Sequence, residues 1–494
     1  MYLLFGTIAR NKKTLRKLLR TIYELSVGKI QPSPILVKDS DVSEIIKKSE
    51  EVVKKCCVFK NSNYNSRDRK IDKILTSKKF GIPIMLLFLG IIFWITIIGA
   101  NYPSKILSNL FVYLGKKITF LLNYLHSPIW LTDLLINGVY QTLTWVISVM
   151  LPPMAIFFPL FTFLEDLGYL PRIAFNLDKC FKKCCTSGKQ ALTMCMGFGC
   201  NAAGVVGCRI ISSPRERLIA ILTNNFVPCN GRFPFLITIS TIFIGSFFTG
   251  SFSSLISTLS VLLLILFGIY ITLVISKLLS KTLSTPILTC ASGSIFFTTI
   301  LKGIPSSFIL ELPPYRKPQI GKIVIRSIFD RTLFVLGRAI AVAAPTGLII
   351  WIFANINFGN ISILTYIANF LDPFAKLMGF DGYILAAFIL GFPANEIVLP
   401  IILMSYLSTG TLVNLEDSIS IGNILIQNGW TFITGINAMI FSLLHFPCST
   451  TLITIKKETN SWKWTLLAFI LPTVCGIVIC ISTNIIYKLF LSMI

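Results

Sequence analysis

Residues 134–164 run for 31 positions without a charge, and Glu165 and Asp166 stand side by side where the run ends. About 20 apolar residues cross the hydrocarbon core of a bilayer, so this run has length to spare. Residues 82–100 form a second uncharged run, of 19 positions, and residues 233–276 a third, of 44. The third is too long for one crossing. It contains Gly245-Ser246 and Gly250-Ser251, which read as the turn of a helical hairpin. Of the 494 residues, 54% are hydrophobic and 13% charged, about half the charge of a soluble domain. These features make the chain an all-α polytopic membrane protein.

The net charge of +24 does not point to nucleic acid. Residues 1–80 hold 19 Lys/Arg against 8 Asp/Glu, and residues 172–189, 209–217 and 302–331 are basic too. Such clusters beside membrane segments follow the positive-inside pattern and place these parts, with the N-terminus, in the cytoplasm. No nucleic-acid motif accompanies the charge. Thirteen cysteines are present. Met1-Tyr2-Leu3-Leu4-Phe5 is too short an apolar run for a signal peptide. Adjacent pairs such as Cys56-Cys57 and Cys184-Cys185 beside basic runs read as reduced cytoplasmic thiols.

The spacing predicts a basic head over 1–80, with a helix beginning near Ser40 or Ser43, and no G-x-x-x-x-G-K-[ST] phosphate loop occurs anywhere in the 494 residues. A first membrane half covers 81–280, a re-entrant segment with a cytoplasmic loop 281–334, and a second membrane half 335–494. Crossings are expected near 82–100, 134–163, 233–250, 255–276, 335–355, 431–455 and 465–487, about seven to eight in all. The segments 191–208, 282–301 and 383–407 fit worse. Both flanks of 282–301 are basic, so a re-entrant or interfacial path is expected there.

A weak internal repeat marks discontinuous helices. Gly197-Phe198-Gly199-Cys200-Asn201 is similar to Gly391-Phe392-Pro393-Ala394-Asn395; downstream, Phe226-Val227-Pro228-Cys229-Asn230 is similar to Phe446-Pro447-Cys448-Ser449. Repeat-built transporters place their substrate where such breaks meet. Non-helical backbone at membrane depth survives only inside protein or beside a cavity, and ionisable groups there mark pathways. The candidate ligands are Cys200, Cys229, Cys448, Glu165, Asp166 and Glu396. The candidate backbone and polar groups are Gly197, Gly199, Asn201, Pro393, Asn395 and Pro447. Thiolates with carboxylates suit a borderline divalent ion such as Fe²⁺ better than Na⁺ or Mg²⁺. Glu165-Asp166 also reads as a mark of the membrane interface with Arg172 as its ion-pair partner. Buried cysteines also read as small apolar residues. His445 reads as a path residue or as a side chain bonded to local backbone. Cys180, Cys184, Cys185 and Cys195 lack the paired knuckles of a zinc site. No hydrolase constellation is present, so the chain reads as a transporter and not an enzyme.

Several ordered motifs carry a resemblance to the FeoB ferrous-iron permeases. Leu164-Glu165-Asp166-Leu167-Gly168-Tyr169-Leu170-Pro171-Arg172-Ile173-Ala174-Phe175 resembles their L-E-D-x-G-Y-x-x-R-x-A-F stretch. The 197–201 segment resembles their first Gate, Glu311-Leu312-Pro313-Pro314-Tyr315-Arg316 their E-L-P-P-Y-R segment, and Pro447-Cys448 with 457–464 their second Gate and the run after it. Ile71-Asp72-Lys73-Ile74-Leu75 and Phe80-Gly81-Ile82-Pro83 look like the start of their first membrane helix. The resemblance spans roughly residues 65–490. It implies an Fe²⁺ importer of the bacterial inner membrane with no bound cofactor, whose path uses Cys200, Cys448, Glu165 and Asp166. Gate 1 then belongs to the first membrane half and Gate 2 to the second. The family's G-protein domain is not found among these residues, so the resemblance implies GTP only through a separate small GTPase. A small SH3-like Feo partner and a homo-oligomer are further implied. Ala394-Asn395-Glu396 stands where the family has A-K-E, and 282–301 looks like an insertion. Two other readings remain: a nucleoside or other solute transporter of Gate architecture, and a non-transporting membrane partner of a complete permease.

Overall fold

The computed structural model describes residues 39–56, 66–77, 79–184, 186–247, 251–282, 315, 318–358, 361–407 and 418–493. The chain separates into two units, Met1–Ser66 and Arg67–Ile494. In the first, one helix is described, α1 (Asp39–Cys56), with Glu44 paired to Lys48 at 2.8 Å. Ser40 and Ser43 lie inside this helix, so neither is its cap. The expected re-entrant segment 282–301 lies almost wholly outside the described residues.

The second unit opens with α2 (Ser66–Leu75) and α3 (Gly81–Tyr124). A short helix and a π turn over Leu134–Tyr140 lead into α4 (Gln141–Asp166), followed by α5 (Tyr169–Lys183). Then come the pieces α6 (Lys189–Gly199), α7 (Asn201–Gly207), α8 (Pro214–Thr223) and α9 (Phe233–Phe243), and the long α10 (Ser251–Thr282). The second half runs α11 (Leu333–Asn355), α12 (Ile363–Leu377), α13 (Gly382–Leu390), α14 (Val398–Leu407), α15 (Ser418–Gln427), α16 (Phe432–Leu444), α17 (Ser449–Thr459) and α18 (Trp462–Met493). Among the described residues the one pair of strands is two residues long and antiparallel, Asn357–Phe358 with Ile361–Ser362.

Five of these helical stretches are long and apolar enough to cross a bilayer, and the pair α12–α13, bent by 109°, makes up to six. The remaining depth is filled by half-length pieces. The stretch expected to cross at 233–250 is one of them: α9 has 11 residues, about 16 Å of helix. The expected crossing at 431–455 is one of the five, Phe432–Thr459, with a break at His445–Cys448 between α16 and α17. Glycine and proline account for these interruptions. Pro228, Pro393 and Pro447 lack an N–H and push the preceding residue out of helical geometry.

The pieces pack into the centre of the unit. Phe226, Leu236, Ile239, Phe388, Phe441 and Leu443 are among its buried apolar residues. Phe388 and Phe441 meet edge to face at 5.0 Å, and Phe446 stacks on Phe469 at 5.0 Å. Lipid tails are as apolar as these side chains, so close packing rather than exclusion of water holds the pieces together.

Candidate functional site

The first break is one residue wide. α6 ends at Gly199, Cys200 is fully extended (φ −155°, ψ 125°), and α7 begins at Asn201. Gly199 is required by close packing, since a Cβ there would stand 2.6 Å from the ring of Phe158 on α4. The same turn recurs in the second half at Ala394 (φ −149°, ψ 110°), which opens Asn395–Ile397 and α14. The later breaks match in the same way. Cys229 (φ −87°, ψ 169°) precedes Asn230–Arg232 and α9, and Cys448 (φ −60°, ψ 157°) precedes α17. Conformation therefore pairs Cys200 with Ala394 and Cys229 with Cys448.

Hydrogen bonds tie the breaks within each half. Asn224 Nδ2 donates to the Asn201 carbonyl at 3.1 Å, and the buried Asn201 amide lies against Asn225. In the second half Ser449 N donates to the Phe392 carbonyl at 3.1 Å and Ser449 Oγ to that of Pro393 at 3.4 Å. The halves are tied to each other as well. Asn225 Nδ2 donates to the His445 carbonyl at 2.9 Å. At the edge of this interface Arg209 grips Glu458 with two bonds, 2.9 and 2.7 Å.

Cys200, Cys229 and Cys448 lie within electrostatic reach of one another, and Glu396 within reach of Cys229. Glu396 is buried, and its carboxylate fills the space above Gly231, where a Cβ would stand 2.7 Å from Oε2. Its carbonyl receives Trp145 Nε1 from α4 at 3.5 Å. Among the described residues no group of three or more His, Cys, Asp and Glu side chains is gathered tightly enough to hold a metal ion. That holds for Cys180, Cys184 and Cys195 too. The thiols and the carboxylate are neighbours around the breaks rather than a closed cage, and a conducted ion needs sites it can leave.

Glu165 and Asp166 are not drawn into this group. They stand about two turns, or 10 Å, beyond the Phe158–Gly199 contact along α4, and Asp166 accepts a bond from Gln319 N at 3.3 Å. Arg172, expected to pair with them, is buried against Asp72 instead, at 3.0 and 3.1 Å. Tyr315 completes this cluster, donating its hydroxyl to Asp72 at 2.7 Å with its ring 4.1 Å from the guanidinium. Burial works against the Asp72 charge, but the Arg172 and Tyr315 hydrogen bonds and the Arg172 charge hold its pKa below the usual value. His445 bonds its own helix end through Nδ1, to the carbonyls of Phe441 and Ser442, while Nε2 faces Asn395 at 3.4 Å.

Two residues that sequence reasoning passed over belong to the centre: Asn225 and Arg232. Arg232 is 1% exposed. The signal was present, because Arg232 is the one charge between Arg217 and Lys277.

Comparison with known proteins agrees with this geometry. The family model described as Gate, nucleoside recognition, matches residues 147–243 and 336–462, which enclose the breaks of the first and second halves. The model for the ferrous iron transport protein B C terminus matches residues 285–330. A Staphylococcus aureus protein named Fe(2+) transporter FeoB is 32% identical over 423 residues, covering 83% of this chain and 58% of that protein. Over most of its length the chain is similar to FeoB proteins. A FeoB of Methanocaldococcus jannaschii is 27% identical over 90% of this chain and 63% of its own length; one of Campylobacter jejuni is 25% identical over 94% and 73%. The chain thus spans a little over half the length of the S. aureus FeoB. No solved structure matches it.

Proposed function

We propose that the chain is a ferrous-iron permease of the bacterial cytoplasmic membrane, with its N-terminus inside, carrying Fe²⁺ inward along the meeting line of the two halves. The observation that carries this reading is the convergence of broken helices from both halves on three thiols and a buried carboxylate. Cys200, Cys229, Cys448 and Glu396 are its contact residues, supplemented by backbone around Gly197, Gly199, Pro393 and Pro447 and by the amides of Asn201 and Asn395. Glu165 and Asp166, at the end of α4, serve as an outlying acidic station rather than part of the central group. Relatives named Fe(2+) transporter FeoB support iron as the cargo. Three thiols in the breaks, ligands for a soft or borderline metal, favour it over a nucleoside.

A G protein outside these residues supplies GTP coupling. A small Feo protein docks on the cytoplasmic side; a Porphyromonas gingivalis relative named as a fusion of Fe(2+) transport protein A with FeoB supports that partner. The working form is a homo-oligomer. Radiolabelled iron uptake in a cell lacking ferrous uptake, with and without a co-expressed G protein, tests the reading. Uptake that requires the chain and Cys448 is expected. Uptake of a nucleoside instead, or no uptake under either condition, rejects it.

A further inference from the structure

Unwound backbone ought to leave carbonyls free for a passing cation, yet at the later breaks those carbonyls are already taken. Arg232 Nη1 donates to the carbonyls of Asn225 at 3.0 Å and Leu443 at 2.8 Å. Nη2 donates to those of His445 at 3.1 Å and Phe446 at 3.2 Å, with Asn225 Oδ1 at 3.4 Å. One guanidinium thus gathers four backbone carbonyls, one from the first half and three from the second. They flank Cys229 and Cys448, the two thiols within its electrostatic reach. Among the described residues no carboxylate pairs with Arg232, and its Nε has no hydrogen-bond partner. A buried charge without a counter-ion is costly unless its hydrogen bonds are met. Here the negative ends of carbonyl dipoles meet them, as they would for a bound metal ion.

We infer that Arg232 is a resident cation: it occupies the carbonyl cage at the later breaks, locks the two halves together there, and thereby positions Cys229 and Cys448. The inference builds on the iron reading above, but its test does not depend on iron. With the cage filled, the carbonyls of Asn225, Leu443, His445 and Phe446 are closed to the transported ion, which leaves the thiols and Glu396 as its main ligands and selects for a metal that thiols hold well. A fixed guanidinium also repels any second cation from the cage.

Removing the side chain in Arg232→Ala leaves an empty, carbonyl-lined cavity of guanidinium shape. The purified full chain in detergent should then melt at least roughly 5 °C lower, and Cys448 should be alkylated several-fold faster. Low-millimolar guanidinium should reverse both changes, whereas urea, equal in shape but neutral, should not. Guanidinium doing no better than urea overturns the inference. So does a Cys448 alkylation rate that ignores the substitution, which would leave Arg232 with a packing role alone. If the alanine variant does not accumulate, Arg232→Lys against Arg232→Gln decides the matter. More folded protein with lysine supports a resident cation, and equal amounts reject it. Wild-type chain that fails to take up iron would sink the transport reading and leave this result standing.

Discussion

Asp72→Asn tests whether the entry to the first membrane helix is held by its ion pair. The substitution keeps size and removes the charge from a bidentate partnership with Arg172, whose side chain is 1% exposed against 21% for Asp72. Breaking one side of a fully buried pair costs about 3–5 kcal/mol. Asp72 is partly wetted, and asparagine still accepts one bond, so screening and the surviving contact leave about 2 kcal/mol. At about 1.4 kcal/mol per decade, that is roughly a 30-fold rise in local opening. Hydrogen exchange over α2, read by mass spectrometry on the detergent-solubilised chain, should accelerate by that factor while α16 and α18 hold their rates. Arg172→Met combined with Asp72→Leu should cost less than the sum of the single changes, because it leaves no unpaired charge. Unchanged exchange in α2 would refute the reasoning, as would equal acceleration everywhere.

The same cluster sets a pH expectation. Asp72 titrates below its ordinary value of 3.8, so its contribution is complete above that value and fades as pH falls through the lowered one. Exchange in α2 should therefore quicken only below about pH 4, and an Asp72→Asn chain should lack that response. Cys200→Ser swaps a soft ligand for a hard neutral one; iron uptake should fall about tenfold or more with the protein still accumulating, and unchanged uptake would leave Cys200 as packing. Cys229→Ser and Cys448→Ser together should cost little more than the worse of the two, since ligands of one ion act as a unit; multiplying defects in uptake would separate them. Lys183 should resist an impermeant amine reagent applied to intact cells, and labelling from outside would reverse the assigned orientation.

What the sequence made legible followed from hydrophobicity and from glycine and proline. Uncharged runs announced the long helices, and Gly199, Pro228, Pro393 and Pro447 announced the breaks. The correspondence of the breaks was legible as well: the repeat set Cys200 opposite Ala394 and Cys229 opposite Cys448, and the backbone angles make the same pairing. Arg172 shows a limit. Its neighbours in sequence are Glu165 and Asp166, but its partner comes from 100 positions away, a distance no local pattern reports. Arg232 was hidden for another reason. It closes an apolar run, so it reads as a boundary charge, and only the fold shows that the carbonyls around it make burial tolerable.

The length of α3 has a consequence for any membrane mimetic chosen to hold this protein. Its 44 residues make a rod of about 66 Å, against a hydrocarbon core of about 30 Å. Counted from Gly81, the core is used up about 20 residues later, near Tyr102, Pro103 and Lys105. The next 21 residues, 104–124, carry Lys116 and Lys117 but also Ile106, Leu110, Tyr113, Phe120, Leu121 and Tyr124, all exposed. Upright, that half leaves a greasy mast in water; tilted, it drags polar groups into lipid. A small detergent micelle wets one end or the other, whereas a wide lipid disc lets the rod lean into the headgroup layer, where amphipathic rings are at home.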